Sequence, residues 1–266
     1  MHQADSKKGE KEMNQAAFRF YAELNDFLTV NQRQRTLFFS FIGNPSVKDS
    51  IEAFGVPHTE VDLVLVNGNP VDFRYQVQNQ DYISVYPVFE CLDISALVKL
   101  RAKPLRVTRF VADVHLGKLA RKLRLFGFDT LYKNDFSDAE IIRLSLKDKR
   151  IILTRDRGIL MNGAVSHGYW IRSFQVDEQL IEVLKRFHLL TQIKTFHRCT
   201  VCNGTVNRID KKQIRDQLMP RTLRYYDEFY ICGICKRIYW KGSHYRKMES
   251  YIQNMIRNYE MKQASI

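Results

Sequence analysis

The chain has 266 residues, 45% of them hydrophobic and 27% charged, which suits one to three folded domains with a buried core. No stretch reaches the roughly 18 apolar residues of a membrane span, and residues 1–15 are polar and charged rather than a secretory leader. A cytoplasmic protein that engages no membrane is the expectation. The net charge of +13 is uneven: residues 16–97 sum to −5, residues 98–194 to +10 and residues 195–266 to +8. Such a basic block is the electrostatic footprint of a polyanion binder, most often of nucleic acid, and a solubilising charge excess is the alternative.

Residues 1–15 read as a disordered tail. Ala17–Tyr21 and Leu37–Phe41 have strand character, and Asn44-Pro45-Ser46 forms a turn and helix start. Val47, Ile51 and Phe54 give a short helix period that Gly55 stops. Val61–Val66 reads as a buried strand, Asn67-Gly68 as a hairpin turn, Val71 onward as strand-like, and Tyr82–Val88 as the closing strand. This order, over residues 16–97, is a small β-grasp (α+β) layout. Residues 98–106 form a short basic connector.

A strand–helix alternation follows over residues 104–190, which implies an α/β domain with a parallel sheet flanked by helices. Strands are expected at Arg109–Val114, Phe128–Tyr132, Arg150–Thr154 and Tyr169–Ser173. Helices are expected at Leu116–Phe126, Ser137–Leu146 and Asp177–Phe187, with one helical turn at Gly158–Met161. In the first helix Leu116, Leu119, Ala120, Leu123 and Phe126 share a stripe, while Lys118, Arg121, Lys122 and Arg124 crowd the remaining surface. Residues 195–247 hold two cysteine pairs among β-rich residues, and residues 248–266 form a terminal helix and tail.

In an open parallel sheet, ligands collect beyond the carboxyl ends of the strands. Asp113 and Asp156 lie at two such ends, Asp138 begins the second helix and Asp177 the third. Carboxylates gathered at one edge repel unless a cation joins them, and Mg²⁺ or Mn²⁺ suits hard oxygen donors and retains water for chemistry. Asp113 and Asp156 are the first candidates as metal ligands. Nearby Lys118, Arg121, Arg155 and Arg157 would hold a phosphate backbone. Each acid also has a plainer use. Glu140 completes a capping box with Ser137, Asp138 suits the helix dipole, Asp177 is a possible N-cap and Asp135 a turn residue.

Cys199, Cys202, Cys232 and Cys235 form two Cys-x-x-Cys knuckles whose thiolates suit a closed tetrahedral Zn²⁺ site. Two disulfides are the alternative, disfavoured by the expected compartment. The 29 residues between Cys202 and Cys232 require a long hairpin or an insertion.

Three segments in this order, Asp113–Asp129 (DVHLGKLARKLRLFGFD), Arg150–Arg157 (RIILTRDR) and the paired knuckles, resemble the mutator-seven C-terminal RNase family. Phe18–Phe27, Gly55–Gly68 and Ser84–Phe89 resemble the ubiquitin-like β-grasp domain fused before it. The resemblance implies a PIN-like nuclease domain followed by a zinc ribbon, and metal-dependent hydrolysis of RNA phosphodiesters. Its acids map onto Asp113, Asp138 and Asp156, with Asp177 as a fourth, while Asp135 and Glu140 compete with Asp138. The β-grasp segment runs on through Phe89–Ile94 without a terminal Gly-Gly, so sulfur-carrier or conjugation chemistry has no attachment point, and Cys91 reads as an incidental thiol. A non-catalytic RNA-binding protein associated with tRNA or ribosomes, and a scaffold binding a protein partner through the β-grasp domain, are the competing functions.

Overall fold

The structure, a computed structural model, describes residues 13–87 and 108–263. The tail before Met13, Val88, Cys91 and the basic connector lie outside the described residues. Two units are distinct in the chain.

The first unit holds β1 (Asn14–Phe20), β2 (Thr36–Phe41), α1 (Val47–Ala53), β3 (Val61–Val66), β4 (Asn69–Val71) and β5 (Tyr82–Pro87). The sheet order is β2-β1-β5-β3-β4, with β1 and β5 parallel and the other neighbours antiparallel. The mixed sheet with one crossing helix is the expected β-grasp layout. β1 starts at Asn14, because Ala16 already begins the inward alternation that continues with Phe18 and Phe20. Phe18 and Phe20 pack on Phe54 at ring distances of 5.3 and 5.4 Å. Ser46 caps α1 by accepting the Asp49 N–H. Asn67 and Gly68 turn the β3–β4 hairpin with φ of 49° and 84°, as a two-residue turn with left-handed central residues requires.

The second unit begins with β6 (Phe110–Ala112), α2 (Gly117–Leu125), β7 (Thr130–Leu131), α3 (Asp138–Asp148), β8 (Ile151–Thr154), α4 (Arg157–Leu160), β9 (Gly168–Trp170) and α5 (Val176–Arg186). Its four strands are parallel, in the order β7-β6-β8-β9. The chain leaves β6 toward β7 on one side and returns to β8 on the other, so the switch point lies between β6 and β8. Strands β7 and β9 are shorter than their apolar runs suggested, since pairing reaches only the registers shared with β6 and β8. Leu116, Leu119, Ala120, Leu123 and Phe126 are all buried, as their stripe required. Arg124, grouped with the exposed cations by its sequence, is 5% exposed.

The cysteine region forms an antiparallel sheet of β10 (Val206–Ile209), β11 (Phe229–Cys232) and β12 (Ile238–Trp240). The long spacing between knuckles is an insertion between β10 and β11, comprising a 3₁₀ segment at Lys211–Gln217 and α6 (Pro220–Tyr225). Helix α7 (Ser243–Gln263) starts five residues before its expected boundary at 248. Its Ile252 and Met255 join the core beside Phe126, Leu180 and Val183.

The ribbon is stitched to the amino edge of the parallel sheet. Arg124 donates from Nε to the Thr130 carbonyl at 2.8 Å and from its guanidinium to the Val201 carbonyl at 2.8 Å, which explains its burial. Asn203, just past the first knuckle, accepts the Thr130 N–H at 2.9 Å and donates to Asp129 at 2.7 Å. Asp129 also takes Arg150 at 2.7 Å and Arg198 at 3.2 Å. Gly127, at φ +95°, lies where a Cβ would collide with the Lys194 carbonyl, so the chain entering the ribbon passes directly over this turn.

Burial pushes the Asp129 carboxyl up, but Arg150, Asn203 and Arg198 outweigh it and hold the group below its ordinary value of 3.8. A carboxyl depressed on folding stabilises fully above the unfolded value and loses that contribution as pH falls through the folded one. Asp129→Asn should cost about 3 kcal/mol at neutral pH, because it takes the carboxylate away from the buried Arg150 and the half-buried Arg198. Denaturant melts should show the difference between wild type and variant narrowing below about pH 4, as the native carboxylate is protonated.

Candidate active site and metal centre

The four cysteine sulfurs lie within 4.8 Å of one another. The cross-knuckle distances are 3.6 Å for Cys199–Cys235 and 3.4 Å for Cys202–Cys232. Both exceed a disulfide bond of about 2.05 Å and approach the roughly 3.8 Å between sulfurs on a tetrahedral Zn²⁺. The donor set therefore fits zinc, and the disulfide alternative does not. Burial raises the Cys199 thiol, yet the Tyr239 hydroxyl and neighbouring donors bring it down to about 6. Cys202, half-buried and crowded by the other sulfurs, is pushed up to about 12, with desolvation the largest cause. The cluster cannot ionise fully without a cation between its members. Gly204 lies against it, since a Cβ there would stand 2.7 Å from the Cys232 sulfur. Four protein ligands would close the site, so a zinc held there would supply folding energy rather than chemistry.

The carboxylates occupy the opposite, carboxyl edge of the parallel sheet. Asp113 follows β6 and is 5% exposed, while Asp156 follows β8 and is exposed. One side chain joins them. The Thr154 hydroxyl, fully buried at the end of β8, donates to Asp113 Oδ2 at 2.7 Å and accepts the Asp156 N–H at 2.9 Å. Asp113 Oδ1 accepts the Val114 N–H at 2.6 Å, and Asp156 Oδ1 accepts the Gly158 N–H at 2.7 Å. Asp156 Oδ2 has no hydrogen-bond partner among the described residues and faces solvent. Sequence reasoning missed Thr154. The only signal was a hydroxyl residue closing the apolar run Ile-Ile-Leu-Thr.

Asp138 and Asp135 are exposed near the start of α3, beyond the carboxyl end of β7. Glu140 is committed to the capping box, accepting the Ser137 N–H at 3.0 Å, and this bond holds its carboxyl below the usual range. Asp177 is not an N-cap. It sits in the first turn of α5, and its carboxylate is taken by Lys122 of α2 and Tyr251 of α7, with Lys122 first among the causes that depress it. Among the described residues, only the cysteines bring three or more metal-ligating groups together. The acidic edge offers an oxygen pair, which suits a hard cation that keeps several waters.

Lys118 and Arg121 are exposed on α2. Arg155 lies 3.7 Å from the ring centre of Phe174, an aromatic 77% exposed beyond β9, and Arg157 lies 4.3 Å from that of Trp170. Phe174 is held at this edge by the preceding loop, where Glu182 accepts the Arg172 and Ser173 N–H groups.

Residues 108–252 match the Mut7-C RNAse domain family over more than half the chain. The chain belongs to that family. Residues 13–93 match the Mut7-C ubiquitin family, in agreement with the mixed sheet seen there. No curated protein and no solved structure matches the chain. The Mut7-C RNAse domain supports a nuclease-type activity, and its matched span takes in both the acidic edge and the four cysteines. Among the described residues no helix is long and apolar enough to cross a membrane.

Metal analysis of the purified Mut7-C protein should return about one zinc per chain, as a four-thiolate site requires. Chelation should unfold the ribbon and shift the fluorescence of Trp240 at the end of β12. A metal-free protein with unchanged fluorescence and no reactive thiol besides Cys91 would return the knuckle cysteines to disulfides.

Proposed function

We propose that this protein is a metal-dependent ribonuclease. Its acidic edge around Asp113 and Asp156 hydrolyses RNA phosphodiesters, and its ribbon has a structural role and helps hold RNA. The observation that carries this reading is the coupling of the two acids through Thr154 at the switch point of a parallel sheet, in a domain of an RNase family. Asp113 and Asp156 would hold Mg²⁺ or Mn²⁺, with Asp138 the next ligand. The cation would supply an activated water and neutralise developing charge.

The residues of the chain supply the positioning. Thr154 fixes Asp113 Oδ2 and the backbone of Asp156 together, so neither acid has to be ordered when substrate arrives. The Gly158 N–H holds one oxygen of Asp156 and leaves Oδ2 directed to solvent. Arg155, Arg157, Lys118 and Arg121 provide cations for the phosphates flanking the cut. Asp177 is a more distant candidate on this reading, since it ties three helices together.

Purified protein incubated with total RNA and Mn²⁺ should yield new ends. Asp113→Asn and Asp156→Asn should each remove them, and Thr154→Val should slow their formation about 100-fold through misplacement of the acids. Undiminished cleavage in both aspartate variants would sink the site. Salt-sensitive binding that survives both substitutions, with no product in any divalent metal, would leave a non-catalytic RNA-binding protein.

A further inference from the structure

A groove of about 970 Å³ lies between α2, the ribbon and α7. We propose that it binds an extended single strand of RNA by stacking bases on aromatic faces, and that it carries this strand from the ribbon to the acidic edge. The proposal rests on the ribonuclease reading for its direction, though not for its binding chemistry.

The groove's charge is one-sided. Its walls include Lys118, Arg121, Lys122, Arg198, Arg237 and Lys247, and among the described residues no acidic one. Asp177 takes Lys122 and Asp129 takes Arg198. Lys118, Arg121, Arg237 and Lys247 are exposed, and none has an ion pair among the described residues. Four uncompensated cations along one cleft call for a polyanion.

The aromatic lining decides which polyanion. Phe196, Tyr226, Tyr239, Trp240, Tyr245 and Tyr251 also face the groove. Several have structural duties: Phe196 packs on Tyr245 at 4.7 Å, Tyr239 bonds to Cys199, and Tyr251 holds Asp177. Trp240, 36% exposed, and Tyr226, 6.4 Å from it, stand at the ribbon lip with ring area to offer. Unpaired bases stack on such faces with little regard to sequence, whereas a duplex keeps its base faces inside. An acidic peptide would use the cations but has no flat groups for Trp240.

The route follows from α2. Lys118, Arg121, Lys122 and Leu125 form one helical stripe along the groove. Lys118 is in the first turn, beside the carboxyl edge that Asp113 marks, and Leu125 is in the last turn, beside the ribbon docked at the amino edge. The helix is about 13 Å long, so a bound strand of two or three nucleotides spans the gap between the two edges.

The test is a titration of fluorescein-labelled 12-nucleotide single-stranded RNA into the Asp113→Asn protein, read by anisotropy and by tryptophan fluorescence. Binding should quench tryptophan emission. Trp240→Ala should weaken affinity about tenfold and remove most of the quench, with no change for a blunt RNA duplex. Arg237→Gln with Lys247→Gln, both on exposed groove positions, should flatten the slope of log affinity against log salt by about 1.4. Unchanged affinity, quench and slope in these variants overturn the groove. So does a poly-glutamate peptide that displaces the RNA and is equally sensitive to Trp240→Ala, because it assigns the cleft to an acidic protein segment. Cleavage by the wild type is scored separately. Cleavage with no effect of the groove variants removes the groove alone, and groove-dependent binding with no cleavage removes the nuclease reading alone.

Discussion

Asp129 is the point on which the second unit turns. Its one carboxylate receives Arg150 from the start of β8, Asn203 from the first cysteine knuckle and Arg198 from the chain entering that knuckle. Arg124 repeats the connection from α2 to the Val201 carbonyl. Partly buried charge is costly unless each partner is satisfied, and here the partners come from both the sheet and the ribbon. The cost of separating them makes the ribbon part of the same body as the parallel sheet. The orientation of the groove, the seating of α7 and the placement of Tyr251 against Asp177 all depend on that docking.

The docking also fixes which edge does what. Asp129, Thr130 and Arg150 precede or open their strands, so the ribbon covers the amino edge. Asp113, Thr154 and Asp156 close theirs, so the acids stand at the carboxyl edge. The paired cysteines and paired acids, equally prominent in the sequence, are therefore at opposite ends of the strands. A ribbon placed this way reaches substrate at the acids only along a connecting surface, and α2, whose last turn meets the ribbon, runs from one edge to the other.

What the sequence made legible was local. The stripe on α2, the Ser46 and Ser137 caps, the Asn67-Gly68 turn and the cysteine knuckles are each set by residues a few positions apart. What it hid was long-range. Arg124 carries the same charge as Lys118 and Arg121, and its burial is explained by the carbonyls of Thr130 and of Val201, 77 residues away. Thr154 resembles any strand-ending residue until Asp113, 41 residues away, is placed beside it. Asp177 looked like another helix-start acid available to a metal, but Lys122 and Tyr251, 55 and 74 residues away, claim it. A helix period reports one face of one element, and it carries no information on which distant polar group will meet an exception to that period.

On the proposed reading, the chain keeps two metals apart by donor chemistry as well as by distance. Thiolates select Zn²⁺ strongly over Mg²⁺ or Mn²⁺, and carboxylates with water suit the hard ions. A carboxylate site placed beside free thiolates would be open to zinc, which binds such mixed donors more tightly than Mn²⁺ does. Here the four sulfurs converge on one another, and Tyr239 and the knuckle backbone hold Cys199 in place. The acids, by contrast, are spaced by a threonine hydroxyl, and one oxygen of Asp156 remains directed to solvent. A closed soft site and an open hard site answer opposite demands, permanence in the first and exchange with water and substrate in the second. Placing them on opposite edges of a single sheet lets one fold meet both.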